Sequence, residues 1–97
     1  MSVLITRHKA TIQLFKELDI INENTEIIEH VNNENIHKIT GQDVIGILPF
    51  DLAAQCNSVL TPLWDTPLEA RGREWNYEET KIYFKGVRKY KVSEIRR

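Results

Sequence analysis

Three stretches of the chain are apolar on nearly consecutive positions: Val3-Leu4-Ile5, Val44-Ile45-Gly46-Ile47-Leu48, and Val59-Leu60 running on to Leu63. Branched side chains at both odd and even positions suit strands covered on both faces, as in a parallel sheet between helices. Core strands are therefore predicted at 3–5, 43–48 and 58–63, the second beside the first, with Pro62 marking an edge or a strand end because it has no N–H to donate. A weaker strand at 26–31, with Ile27 and Ile28 among polar neighbours, belongs nearer an edge. Between these runs the period changes. Ile12, Phe15 and Leu18 draw a stripe that predicts a helix over 10–18. Pro49 and Asp51 open a second helix through Leu52-Ala53-Ala54, and Asn76 with Glu79 makes a capping-box pattern for a third, running through Phe84. Lys85-Gly86 reads as its end, and Val87, Lys89 and Lys91 alternate with Arg88, Tyr90 and Val92, which predicts a last strand over 87–95 and a frayed Arg96-Arg97 end. Asn32 to Asn35 breaks the pattern, and 36–39 reads as a short strand or extended connection. The order strand, helix, strand, strand, helix, strand, helix, strand predicts a small single-domain Rossmann-like α/β fold, a mostly parallel sheet flanked by helices.

A length of 97 residues leaves room for one domain with a modest core, and 41% apolar content argues against disorder. Thirteen Lys and Arg against fourteen Asp and Glu give a net charge of -1, so no long nucleic acid is expected as a partner and any nucleotide must be bound locally. The charge is uneven, with four basic against eight acidic residues in 1–57 and nine against six in 58–97. The lone Cys56 rules out an internal disulfide, and no apolar run approaches the roughly 20 residues that span a bilayer, so a cytoplasmic protein is expected. Cys56 follows Leu52-Ala53-Ala54 and reads as helix core, with a nucleophile as the lesser alternative. His8, His30 and His37 are too scattered for a metal site, and none is expected; His30 and His37 flank the Asn-rich turn as exposed structural residues.

Candidate chemistry sits in two basic clusters. Thr6-Arg7-His8-Lys9 follows the first strand where a helix begins, and the crevice beyond strand ends in open α/β sheets, with free helix N–H groups beside it, favours anions. The alternative is a solvated turn. Arg71-Gly72-Arg73 can set two planar cations on one phosphate group, or can pair with Glu74 as a surface salt bridge. Trp64 and Trp75 bracket that second cluster and suit either base stacking or a core or dimer interface. Gly46 either admits a close ligand or backbone or is a packing glycine.

Val3-Leu4-Ile5-Thr6-Arg7-His8, then Gly41-Gln42-Asp43-Val44-Ile45-Gly46-Ile47-Leu48-Pro49 leading to Leu52-Ala53-Ala54, then Pro67-Leu68-Glu69-Ala70-Arg71-Gly72-Arg73-Glu74, together resemble the small type III CRISPR-associated family numbered sixteen in the Csx series. The resemblance covers nearly the whole chain; Lys9, where that family tends to have a small residue or proline, and Asn32 to Asn35 depart from it. It implies a CARF-like homodimer with ring nuclease activity, which cleaves the cyclic oligoadenylate messenger, chiefly cyclic tetra-adenylate, to short linear products and so switches off the antiviral response. For such an activity Arg7, His8 and Arg71 are the candidate catalytic residues and Thr6, Lys9, Leu48, Pro49, Phe50 and Arg73 the candidate substrate contacts, with no metal and no cofactor expected. The chemistry asked of such a site is modest. Aligning a 2′-hydroxyl in line with the leaving 5′-oxygen can by itself be worth on the order of 7 kcal/mol. Arg7, Lys9, Arg71 and Arg73 are the cations for the developing phosphoryl charge, and His8 is the side chain able to move a proton near neutral pH. A module that binds or sequesters the cyclic nucleotide without cleaving it would use the same clusters, and a protein-interaction adaptor would use the tryptophan surface.

Overall fold

The computed structural model describes residues 2–95. Its elements are β1 (Ser2–Ile5), α1 (Lys9–Glu17), β2 (Glu26–Ile28), β3 (Asp43–Ile45), α2 (Phe50–Ala53), β4 (Ser58–Trp64), α3 (Tyr77–Tyr83) and β5 (Phe84–Tyr90). The strands form one sheet in the order β2-β1-β3-β4-β5, parallel except for β5, which runs antiparallel to β4. This is the expected α/β architecture, with β3 beside β1 and β2 at an edge.

Register explains the consecutive apolar residues. Val3 pairs with Val44 and Val44 with Val59, and these three point to one face, where Ile39, Ala53 and Cys56 cover them. Leu4 and Ile45 point to the other, onto Leu14, Phe15 and Ile21. Phe15 is fully buried at the centre of an aromatic group, stacked on Trp64 at 6.3 Å and tilted against Phe84 at 5.6 Å.

Several boundaries differ from the sequence reading. The strand placed at 26–31 stops at Ile28, and the one placed at 43–48 stops at Ile45. Residues 36–39 are not extended: Ile36–Lys38 is a 3₁₀ turn. The Asn-rich segment winds the chain into it, since the Asn32 side chain accepts from the amides of Glu34 (2.9 Å) and Asn35 (3.0 Å) while the Asn35 side chain accepts from the Asn32 amide at 2.8 Å. The capping box of α3 forms as expected, but the helix ends at Tyr83, and Lys85-Gly86 lies inside β5. There Leu63 pairs with Gly86 and Trp64 with Phe84, which leaves Lys85 as the extra residue of a bulge, beside a glycine at φ 122°. β5 ends at Tyr90, short of the predicted 95, and the Arg96-Arg97 end lies outside the described residues. β3 pairs with β4 only as far as Leu60, so Pro62 has a strand partner on the β5 side alone. Among the described residues no helix is long and apolar enough to cross a membrane.

Candidate functional site

β1 and β3 are neighbours, but the chain leaves them in opposite directions. α1 packs Leu14 and Phe15 on one face of the sheet, and α2 packs Ala53 on the other. Helices that diverge in this way open a crevice beyond the carboxyl ends of the two strands, the usual ligand position in open α/β sheets. A cleft of about 460 Å³ lies there. Thr6, Arg7 and His8 enter it from the end of β1, Glu29 and His30 from the end of β2, and Ile47, Leu48 and Pro49 from the end of β3; Trp64, Arg73 and Trp75 line it from the C-terminal half.

The turn after β1 is tightly specified. The Thr6 amide donates to the Ile28 carbonyl at 2.9 Å, and its hydroxyl oxygen accepts from the His8 amide at 3.2 Å. α1 then begins at Lys9 with no side-chain cap and no acid in its first turn, so no residue of the helix itself offsets its positive end. Gly46 closes the floor: a Cβ there would meet the Ile5 carbonyl oxygen at 3.2 Å, so what it accommodates is the backbone of β1.

The segment after the 3₁₀ turn Leu68–Ala70 folds back over this turn. His8 Nδ1 lies 3.4 Å from Glu74 Oε1. The Arg73 guanidinium makes a fork with the carboxylate of Glu79, Nη1 at 2.9 Å from Oε1 and Nη2 on Oε2, and reaches the Glu74 carbonyl at 3.3 Å. Arg73, helped by the Asn76 amide, holds the Glu79 carboxyl down at about 2 against an ordinary 4.5, and Glu79 in turn raises the arginine. The Trp75 indole donates to the Ala70 carbonyl at 2.8 Å and meets Trp64 edge-on at 5.3 Å and Tyr83 at 5.0 Å. Both tryptophans are thus packed with the core aromatics and also wall the cleft.

Of the nine residues singled out in the sequence, Thr6, Arg7, His8, Leu48, Pro49 and Arg73 line this cleft, and Lys9, Phe50 and Arg71 do not. Lys9 is exposed at the start of α1, and Arg71 is exposed on the loop that leads to Arg73. Phe50, 83% exposed, lies instead on a shallow apolar groove of about 250 Å³ shared with Ile47, Leu48, Tyr90 and Val92. Glu29 has no role in the sequence reading and His30 only that of an exposed structural residue, because a strand running to Val31 includes both, whereas β2 ends at Ile28 and leaves them at its mouth. Cys56 is core: it is 2% exposed, its thiol donates to the Leu52 carbonyl at 3.5 Å, and burial pushes that thiol up. Among the described residues no three His, Cys, Asp or Glu side chains converge as a metal site.

Residues 3–93 match the model of a protein family described as "Putative CRISPR-associated protein (Cas_VVA1548)". No curated protein and no solved structure shows significant similarity to the chain.

Proposed function

The chain belongs to this CRISPR-associated family, and on that premise we propose that it is a ring nuclease, which opens cyclic tetra-adenylate to short linear oligoadenylates and so ends type III CRISPR signalling. The observation that carries the reading is the cleft between β1 and β3, where Arg7, His8 and the uncapped start of α1 meet an apolar wall of Leu48, Pro49 and Trp75. Phosphate suits the first side and adenine the second.

In this mechanism the nucleophile is the substrate's own 2′-hydroxyl, which gives its proton to solvent as its oxygen bonds to phosphorus and the bond to the 5′-oxygen breaks, so the protein has to align it, stabilise charge and protonate the leaving oxygen. Arg7 and the first-turn amides of α1 hold the phosphoryl oxygens. His8, turned by Glu74 at Nδ1, offers Nε2 to protonate the leaving 5′-oxygen. Arg73 exchanges Glu79 for a phosphate as the ring seats. No step calls for a metal. At about 460 Å³ one cleft holds part of a four-nucleotide ring. Two copies facing each other across a twofold axis would cover it, and would bring Lys9 and Arg71 to the boundary where the rest of the ring lies.

The test is to incubate protein with excess cyclic tetra-adenylate in EDTA and resolve the products. Linear oligoadenylates ending in 2′,3′-cyclic phosphate, formed over many turnovers, support the reading. Tight binding of an intact ring would make the protein a sequestering module, and neither binding nor cleavage would dismiss both. Within the nuclease reading, Arg7→Ala and His8→Ala should slow single-turnover cleavage by about 10²-fold or more while changing affinity less, and Arg73→Ala should weaken binding at least as much as cleavage.

A further inference from the structure

Among the described residues that line the cleft, Glu29 supplies the one carboxylate. It is exposed, and no hydrogen bond or ion pair holds it. An unpaired negative charge in a site for phosphodiesters repels the phosphates, so a bound nucleotide must turn hydrogen-bond donors toward it. Adenosine offers two kinds, the ribose hydroxyls and the exocyclic amine.

Strand register decides between them. Ile5 is paired with Ile28, and the Thr6 amide donates to the Ile28 carbonyl at 2.9 Å, so Glu29 emerges directly beside Thr6 and Arg7. Neighbouring strands lie about 4.8 Å apart, a separation that a phosphate and its adjoining sugar can bridge. The apolar wall suited to the base is built from β3 and the C-terminal segment, on the other side of β1 from β2. In dinucleotide-binding Rossmann folds, an acid at the end of the second strand, about 20 residues past the first turn, meets the ribose. Glu29 stands at that place in both sequence and space.

Resting on the reading that the cleft takes an oligoadenylate, we propose that Glu29 accepts a hydrogen bond from the 2′-hydroxyl of the nucleotide whose 3′-phosphate sits at the Arg7-His8 turn, and so selects ribose over deoxyribose. The contact is to the group that attacks phosphorus in the proposed reaction, and it fixes the direction of that oxygen.

The experiment measures binding of cyclic tetra-adenylate and of its all-2′-deoxy counterpart, on ice before turnover, to wild type, Glu29→Ala and Glu29→Gln. Wild type should prefer the ribose ring by roughly 10- to 100-fold, the range for a hydrogen bond to an ionised acceptor. Glu29→Ala should lose that factor on the ribose ring alone, so that the preference collapses, and Glu29→Gln, whose amide oxygen still accepts, should fall between. Thermal melting of the variants should match wild type, since the side chain is exposed and unpaired. Equal wild-type affinity for the two rings, or a preference that survives in Glu29→Ala, would overturn the proposal. If wild type binds neither ring, the oligoadenylate reading fails and takes this inference with it. If the ring is bound with the expected preference but never cut, the hydroxyl contact stands and only the nuclease reading falls.

Discussion

Arg73 is engaged before any ligand arrives. Its fork on Glu79 ties a cleft residue to the third position of the α3 capping box, because Glu79 also accepts from the Asn76 amide. Replacing Glu79 with Gln should therefore act in two directions: affinity for an anionic ring rises a few-fold at low salt as Arg73 is released, and the melting temperature falls as α3 loses its charged acceptor. The pair also sets an acid limb. With the folded carboxyl held near 2 and the ordinary value at 4.5, its contribution is complete above pH 4.5 and is lost as pH falls toward 2. Thermal melts over that window should drop more steeply for wild type than for Glu79→Gln. A basic residue at 73 was plain in the sequence, but its partner was not. Glu74, adjacent in the chain, was the expected mate, yet the capping turn of α3 swings Glu79 back to Arg73, and Glu74 goes instead to His8, 66 positions away.

α1 ends in a Schellman motif without glycine. The Ile20 amide donates to the Phe15 carbonyl at 2.9 Å and the Asp19 amide to Lys16 at 3.2 Å, with Asp19 at φ 58° and Ile20 packed against the core. A left-handed conformation strains any residue with a Cβ, so Asp19→Gly should stabilise the protein by about 0.5 kcal/mol after the entropy of the unfolded chain is counted, a rise of a few degrees in melting temperature. One turn earlier, Phe15→Ala removes the ring that joins α1 to Trp64 and Phe84. The expected loss is about 3–5 kcal/mol, a large part of what a small protein has, and denaturant unfolding should show it. The elements best legible in the sequence are those whose periodicity and caps are local, such as α1 and the Asn76-Glu79 start of α3. The misread junction of α3 and β5 depends on something distant. β5 starts at Phe84 because Trp64 is there to pair with it, and the Lys85 bulge absorbs the glycine that looked like a helix stop.

At the scale of the whole molecule, strand order brings the functional pieces together. Thr6 and Leu48 are far apart in sequence and meet only because β1 and β3 are adjacent while α1 and α2 depart to opposite faces. Alternating strands and helices predicted such a sheet, but composition could not say which strand ends would share a cleft. If two half-clefts make one ring site, light scattering should return twice the mass of one chain, and the mass of a single chain with and without cyclic tetra-adenylate would count against it. The two rims of the sheet raise a separate matter, that of crowding and self-association. β2 presents only three residues, while β5, seven residues long, could template the backbone of another molecule along its free side. Lys85, Arg88 and Lys89 and the bulge lie along that strand, so approaching copies meet like charge and a broken ladder. Arg88→Val with Lys89→Val should leave the melting temperature nearly unchanged yet make scattering climb with concentration, because those cations keep a long, bare strand from becoming the seed of a fibre.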